Sequence, residues 1–225
     1  MMTRSEASKL IRGGNVKING KIIKNTSEKA DPECDTIEVS GSVISYKKHI
    51  YIMLNKPQGV VSASRDPNDK TVIDLVPDEL KRPNLFPAGR LDKDTTGFVL
   101  ITDDGDFAHD ILSPRHHVEK TYLAGTDCLI EESYLEQMRE GMVLGEEKLM
   151  PAGIDLVSDS PSPVYRIVLK EGRYHQIKRM TGATNAVLTS LKRIRMGALD
   201  LDETLLPGEC RELTAEETEL IKNKK

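Results

Sequence analysis

Five aspartates fall between residues 92 and 106, at 92, 94, 103, 104 and 106, in and beside the stretch GRLDKDTTGFVLITDDG. Three chemistries use carboxylates packed this closely. A calcium loop would take Asp92, Asp94, Thr96, Gly97 and Asp103 at positions 1, 3, 5, 6 and 12 of its pattern. Position 12 would then be Asp where a bidentate Glu is needed, Pro87 and Gly89 leave no room for an entering helix, and FVLIT reads as a strand. A phosphotransferase aspartate of the Asp-x-Asp-x-Thr kind, spelled by Asp92 to Thr96, needs an apolar strand directly ahead of it, and FPAGRL stands there instead. The third reading uses Asp92 alone, between Arg90 and a Thr-Thr-Gly turn. On local residues it remains an ordinary surface ion pair. The other four aspartates read as turn and cap residues, since Asp bonds nearby backbone amides.

Composition narrows the remaining options. Cys34, Cys128 and Cys210 stand far apart without metal spacing, which suits reduced thiols and a cytoplasmic setting. No P-loop or dinucleotide fingerprint is present. Trp is absent and aromatic residues are 4%, which argues against stacking platforms for sugars. No apolar run approaches the roughly 18 residues of a membrane span, and no membrane contact is expected. The net charge is -4, yet residues 165–197 carry eight Lys/Arg and one acid, Glu171, while the last 28 residues carry eight acids and four bases. A bound polyanion feels the local patch and not the total.

The elements that must position these residues follow from pattern. Thr3 and Glu6 have capping-box spacing, Ala7, Leu10 and Ile11 form a helical stripe, and Gly13-Gly14 ends it. NVKINGKII is a hairpin turning at Asn19-Gly20, and TIEVSG is a further strand. This segment is too small for a robust core and reads as an appended module covering 1–46, with a larger domain over 47–225. In the larger part IYIML, GFVLIT, EKTYLAG, VYRIVLKEG and AVLTSLKRIRMGAL read as strands. GDFAHDIL, EESYLEQMREG, YHQIKRMTGA and TAEETELIKNK read as helices. Many strands with few helices between them predict an α+β protein with a mixed, mostly antiparallel sheet and flanking helices.

Four segments, in order, resemble the pseudouridine synthases. GRLDKDTTGFVLITDDGDFAHDIL is similar to their catalytic motif, SPRHHVEKTYLA and EGRYHQIKRM to the next two, and LKRIRMGALDLDETLLPGECRELT to their C-terminal segment. Residues 1–46 resemble an S4 RNA-binding domain. Nearly the whole chain is covered, and the nearest branch is the RsuA-type ribosomal RNA enzymes, with SPRHHVEKTY more like those of the small subunit.

The resemblance implies isomerisation of a uridine in ribosomal RNA, most of all 16S, with base flipping and no cofactor. The N1–C1′ bond breaks, the uracil turns, and C5 joins C1′. Asp92 would be the catalytic carboxylate, attacking C1′ or C6 or helping remove a ribose proton. It must stay ionised, and burial opposes that, so a cation is required. Lys178 would supply it, where many relatives carry Arg. Tyr122 would stack on the base and accept the C5 proton, with Ile177 packing around the ring. Arg90 would fill the gap of the flipped base or bind its phosphate. Lys120, Arg173 and Arg179 would contact phosphates, and His175 and Gln176 would bond the RNA or brace the site. His116 and His117, adjacent and so pointing apart on a strand, read as loop residues near the RNA.

Two departures stand out. The S4 resemblance starts late, so the first helix of that module is expected to be missing. In RMTGATNAV, Thr181 stands where relatives carry an aromatic, which would loosen the helix, and Asn185 stands where Gly is usual, on a left-handed backbone that Asn tolerates. The expected partner is small-subunit ribosomal RNA or an assembling small subunit, and the expected state is a monomer. The alternatives are a 23S target, or a non-catalytic RNA-binding assembly factor on the same scaffold.

Overall fold

The computed structural model describes residues 3–31, 34–44, 47–113 and 118–222. The chain divides into two compact units, 1–48 and 49–225.

The first unit opens with α1 (Arg4–Arg12). Thr3 accepts from the Glu6 N–H, and Glu6 accepts from the Thr3 N–H at 2.7 Å, closing the capping box. Then follow β1 (Val16–Ile18), β2 (Lys21–Ile23), β3 (Ile37–Val39) and β4 (Ser42–Ile44), paired antiparallel in the order β2-β1-β3-β4. Asn19-Gly20 turns the first hairpin with positive φ at both residues. Ser40-Gly41 does the same for the second, a hairpin not expected from sequence because Ser seldom takes that conformation. No described residue of this unit is fully buried, in keeping with its size.

The second unit is built on a nine-stranded sheet, with a separate two-stranded hairpin and helices packed around it. In chain order it contains β5 (Tyr51–Lys56), β6 (Phe86–Ala88), β7 (Thr96–Thr102), α2 (Gly105–Leu112), β8 (Lys120–Thr126), α3 (Glu132–Glu140) and β9 (Val143–Leu144). It continues with β10 (Glu147–Lys148), β11 (Gly153–Ser158), β12 (Val164–Leu169), α4 (Gln176–Gly182), β13 (Leu188–Met196), β14 (Leu199–Asp200), β15 (Cys210–Glu212) and α5 (Ala215–Lys222). The strand order is β11-β12-β8-β13-β7-β5-β15, with β14 on β13 and β6 on β7. Every pair is antiparallel except β13–β7.

Strands β5 and β7 are buried on both faces, which is why they read as unbroken apolar runs. Met53, Phe98 and Leu100 pack toward α2 and α5, on Phe107, Ile111 and Ile221. Ile52, Leu54, Val99 and Ile101 face the opposite way, onto Val60, Val72, Leu85 and Leu91. A third cluster seats α3 and α4 on the β8–β12 half, through Met138, Tyr165, Ile167, Ile177 and Met180.

The parallel β13–β7 seam is where the two halves of the sheet meet, and it is tight. A Cβ on Gly97 would lie 2.2 Å from the Arg193 carbonyl oxygen, and the residue sits at φ +97°. Gly97→Ala is therefore expected to destabilise the fold by about 3 kcal/mol or more. A thermal melt should show a drop on the order of 10 °C.

Candidate active site

The loop into β7 carries Asp92, and five bonds fix its backbone. Ser62 Oγ donates to the Leu91 carbonyl and accepts from the Leu91 N–H, both at 3.0 Å. The Gly59 N–H donates to the Lys93 carbonyl at 2.8 Å. Lys56, fully buried at the end of β5, donates to the carbonyls of Thr95 (2.7 Å), Pro57 (3.1 Å) and Lys93 (3.2 Å). Burial lowers the Lys56 pKa to about 8 against the opposing pull of Asp94 and Asp92. Sequence reasoning did not single out Lys56. Its signal is a lysine closing an apolar strand directly before Pro57.

Lys178, on α4, stands between two carboxylates. Its Nζ is 3.1 Å from Asp92 Oδ2 and 2.6 Å from Asp94 Oδ1. Burial opposes its charge, and the bonds from Asp94 and Asp92 outweigh that, so its pKa is raised. The same bond from Lys178 lowers that of Asp94. Asp94 is thus a site residue and not only a turn residue, which corrects the sequence reading. Asp104 matches it, capping α2 by accepting from the Phe107 N–H, and Asp106 lies in the first turn of α2, whereas Asp103 makes a tertiary contact, accepting from the Ile50 N–H and lying 3.3 Å from both His49 Nδ1 and Arg82 Nη1.

His175 brings its Nε2 to 3.4 Å from Asp92 Oδ1. It does so from a left-handed backbone, φ 47° and ψ 38°, at the start of α4. Such a conformation in a non-glycine residue costs roughly 1–3 kcal/mol and is held only where the surroundings fix it. Its ring stacks on Tyr174, with centroids 3.8 Å apart, and Tyr174 is 78% exposed. Tyr174 was also missed; an exposed tyrosine looks in sequence like any other.

Two adjoining hollows share the wall formed by Arg90, Asp92, Tyr122, Arg173 and His175. The smaller adds Thr95, Ile177 and Lys178. The larger, about 770 Å³, adds Lys120, Tyr174 and Arg193, and lies within the range of about 300–1,000 Å³ usual for ligand sites. Arg90 is exposed at its rim with no bonded partner among the described residues. Gln176 is buried; it donates to Glu171 and accepts from the Arg173 N–H, so it braces the loop before α4. Arg173 pairs with Glu171 (3.1 Å) and Arg179 with Glu147 (2.8 Å).

These pairs change the meaning of the basic stretch. Lys170 lies 3.6 Å from Glu119, Arg166 pairs with Asp155, and Arg195 with Asp200. The fold returns acids from elsewhere in the chain to most of the bases in 165–197. Lys120 departs furthest from a phosphate contact on the surface, being 7% exposed. His116 and His117 lie outside the described residues. Thr181 is buried, with its hydroxyl donating to the Ile177 and Lys178 carbonyls. Asn185 does not use a left-handed backbone. Its side chain accepts from the Glu131 N–H and donates to the Leu129 carbonyl instead.

Lys120 yields a stability prediction. Burial, then Arg193, lowers its pKa from 10.5 to about 8. Between those values the unfolded chain binds more protons than the folded one, so this burial cost shrinks as pH rises from 8 to 10.5. Arg193 and Tyr122 flank it and no acid pairs with it among the described residues. Lys120→Met is expected to melt higher than the parent at pH 7, and paired melts should show that advantage shrinking across the same window.

Residues 50–183 match the family described as RNA pseudouridylate synthase, and residues 3–37 match the S4 domain. The chain belongs to the RNA pseudouridylate synthase family. It is 42% identical to Ribosomal small subunit pseudouridine synthase A of Escherichia coli (strain K12), over 96% of this chain and 93% of that protein. It is likewise 42% identical to the Uncharacterized RNA pseudouridine synthase YtzG of Bacillus subtilis (strain 168), over 97% and 92%. A solved pseudouridylate synthase superposes with a TM-score of 0.71 at 40% identity, covering 98% of this chain and 94% of that one. The chain is therefore a pseudouridine synthase of the RsuA-like branch with an S4 domain.

Proposed function

We propose that this enzyme converts one uridine of small-subunit ribosomal RNA to pseudouridine, with Asp92 as the catalytic carboxylate. The observation that carries the assignment is the Asp92–Lys178 contact of 3.1 Å at the wall of a cavity that Tyr122 also lines. Attack on C1′ and removal of a ribose proton both need the anion, and the Lys178 ammonium stands 3.1 Å from it. Tyr122 supplies an aromatic face for the uracil and a hydroxyl to take the C5 proton after the new bond forms. Arg90, exposed and unpartnered among the described residues, enters the stack where the nucleotide leaves it. Arg173 and Arg179 reach phosphates only by exchanging their glutamates for RNA, so their contribution to affinity is salt-dependent and small. The small-subunit target rests on the name borne by the Escherichia coli relative.

Mapping by carbodiimide adducts and primer extension tests the target. Unmodified small- and large-subunit RNAs, free and in partially assembled particles, are incubated with the full chain. One new stop on small-subunit RNA is expected. A stop confined to large-subunit RNA would overturn the target and leave the chemistry standing. Binding without any stop would favour the assembly factor.

A further inference from the structure

Lys120 and Arg193 lie on the floor of the larger hollow, and neither is used by the mechanism above. Lys120 and Tyr122 are two apart on β8 and so share a face; Arg193 stands opposite Tyr122 on β13. Lys120 is 7% exposed and Arg193 2%. The Arg193 Nε donates to the Phe98 carbonyl at 2.7 Å, which fixes the guanidinium, while its Nη2 is buried with no partner. No carboxylate is paired with either cation among the described residues. Two buried like charges without an acid are a standing cost to the fold, and such an arrangement persists where an anion comes to it.

A nucleotide enters base first, so its phosphates stay at the rim and its ring reaches the floor. When N1–C1′ breaks, the bonding pair stays on N1 and the uracil becomes an anion, with its charge spread onto the ring oxygens. C1′ is taken up either by Asp92 as an ester or, after loss of the ribose 2′ proton, as a glycal. When C5 attacks C1′ the charge returns to bonding: Asp92 leaves as the carboxylate, or the glycal takes its proton back at C2′, and the C5 proton then passes by way of the Tyr122 hydroxyl to N1.

We propose that Lys120 and Arg193 form an anion site for the detached uracil, Lys120 donating to a ring oxygen and Arg193 supplying the second, fixed positive charge. This rests on the function proposed above. A site of this kind acts on the rate and not on the affinity for RNA, because the ground-state uracil is neutral.

The test uses the full chain and a small-subunit RNA fragment carrying the mapped uridine, with parent, Asp92→Asn, Lys120→Met and Arg193→Lys in parallel. The Lys120 side chain makes no hydrogen bond among the described residues, so Lys120→Met is expected to fold and to melt no lower than the parent. Its kcat is expected to fall about 100-fold, with KM within about threefold of the parent. Arg193→Lys keeps a charge and should lose less. The decisive arm replaces the target by 5-fluorouridine. Fluorine stabilises the ring anion by itself, so the deficit of Lys120→Met in consuming the nucleoside should shrink to under about tenfold. Equal deficits on both substrates would make the role structural. A raised KM with kcat unchanged would make it a phosphate contact, and full activity of Lys120→Met would remove the site; each overturns the proposal while leaving Asp92 in place. No turnover by the parent overturns the underlying function and this site with it.

Discussion

Asp92→Asn is expected to lower the isomerisation rate by at least about 10⁴-fold while RNA affinity stays within about twofold. The amide keeps the size of the carboxylate and loses its charge. Nothing in the backbone should move, because the loop is held by Ser62, Gly59 and Lys56 through main-chain atoms of its neighbours and not through the Asp92 side chain. The contact to Lys178 survives as an ordinary hydrogen bond. Binding should survive too, since Asp92 is an anion facing a polyanion. Tritium release from RNA labelled at C5 of uridine reads the rate, and filter binding reads the affinity. Loss of both together would place the defect in folding or RNA capture instead.

Lys178→Met carries the second largest effect, a fall of about 10²–10³ in the single-turnover rate. Two carboxylates, Asp92 and Asp94, share the Lys178 ammonium. Without it both carboxylates lose the ammonium they share, and their like charges are no longer offset by it. That reasoning makes a sharper demand than a simple loss. Adding Asp94→Asn to Lys178→Met removes one of the two like charges and should recover part of the rate. Asp94→Asn in the parent leaves Lys178 wholly to Asp92 and should cost under about tenfold. Lys178→Arg keeps the charge and is expected to stay within about tenfold of the parent. The rates of the parent, Lys178→Met, Asp94→Asn and the variant carrying both form a double-mutant cycle, and simple additivity would show that Asp94 does not act through Lys178.

Legibility in the sequence followed burial. IYIML and FVLI were readable because β5 and β7 are covered on both faces. The helices were readable at their caps, at Thr3 and Glu6, at Asp104, and at Thr214, which accepts from the Glu217 N–H. The strands that escaped are short or at edges. β6 and β15 are three residues each, and β11 ends the sheet with Leu156 and Val157 exposed, so no clean alternation marks it. At the site, Asp92, Tyr122 and Lys178 entered through the resemblance, and their spacing alone would not have joined them. Asp94 and Lys56 stayed hidden because their partners are set by tertiary contact: a lysine on α4 for one, three carbonyls for the other. Counting bases between 165 and 197 overstated the surface patch, since Arg193 lies inside the sheet and most of the others meet acids brought by other elements.

The central claim is that the Asp92 carboxylate performs the isomerisation. A small-subunit RNA transcript, incubated with parent or Asp92→Asn at equal RNA occupancy, digested to nucleosides and separated by chromatography, tests it most directly. One pseudouridine per transcript with the parent and none with Asp92→Asn is the expected result. Pseudouridine formed by Asp92→Asn at a rate near that of the parent would contradict the account.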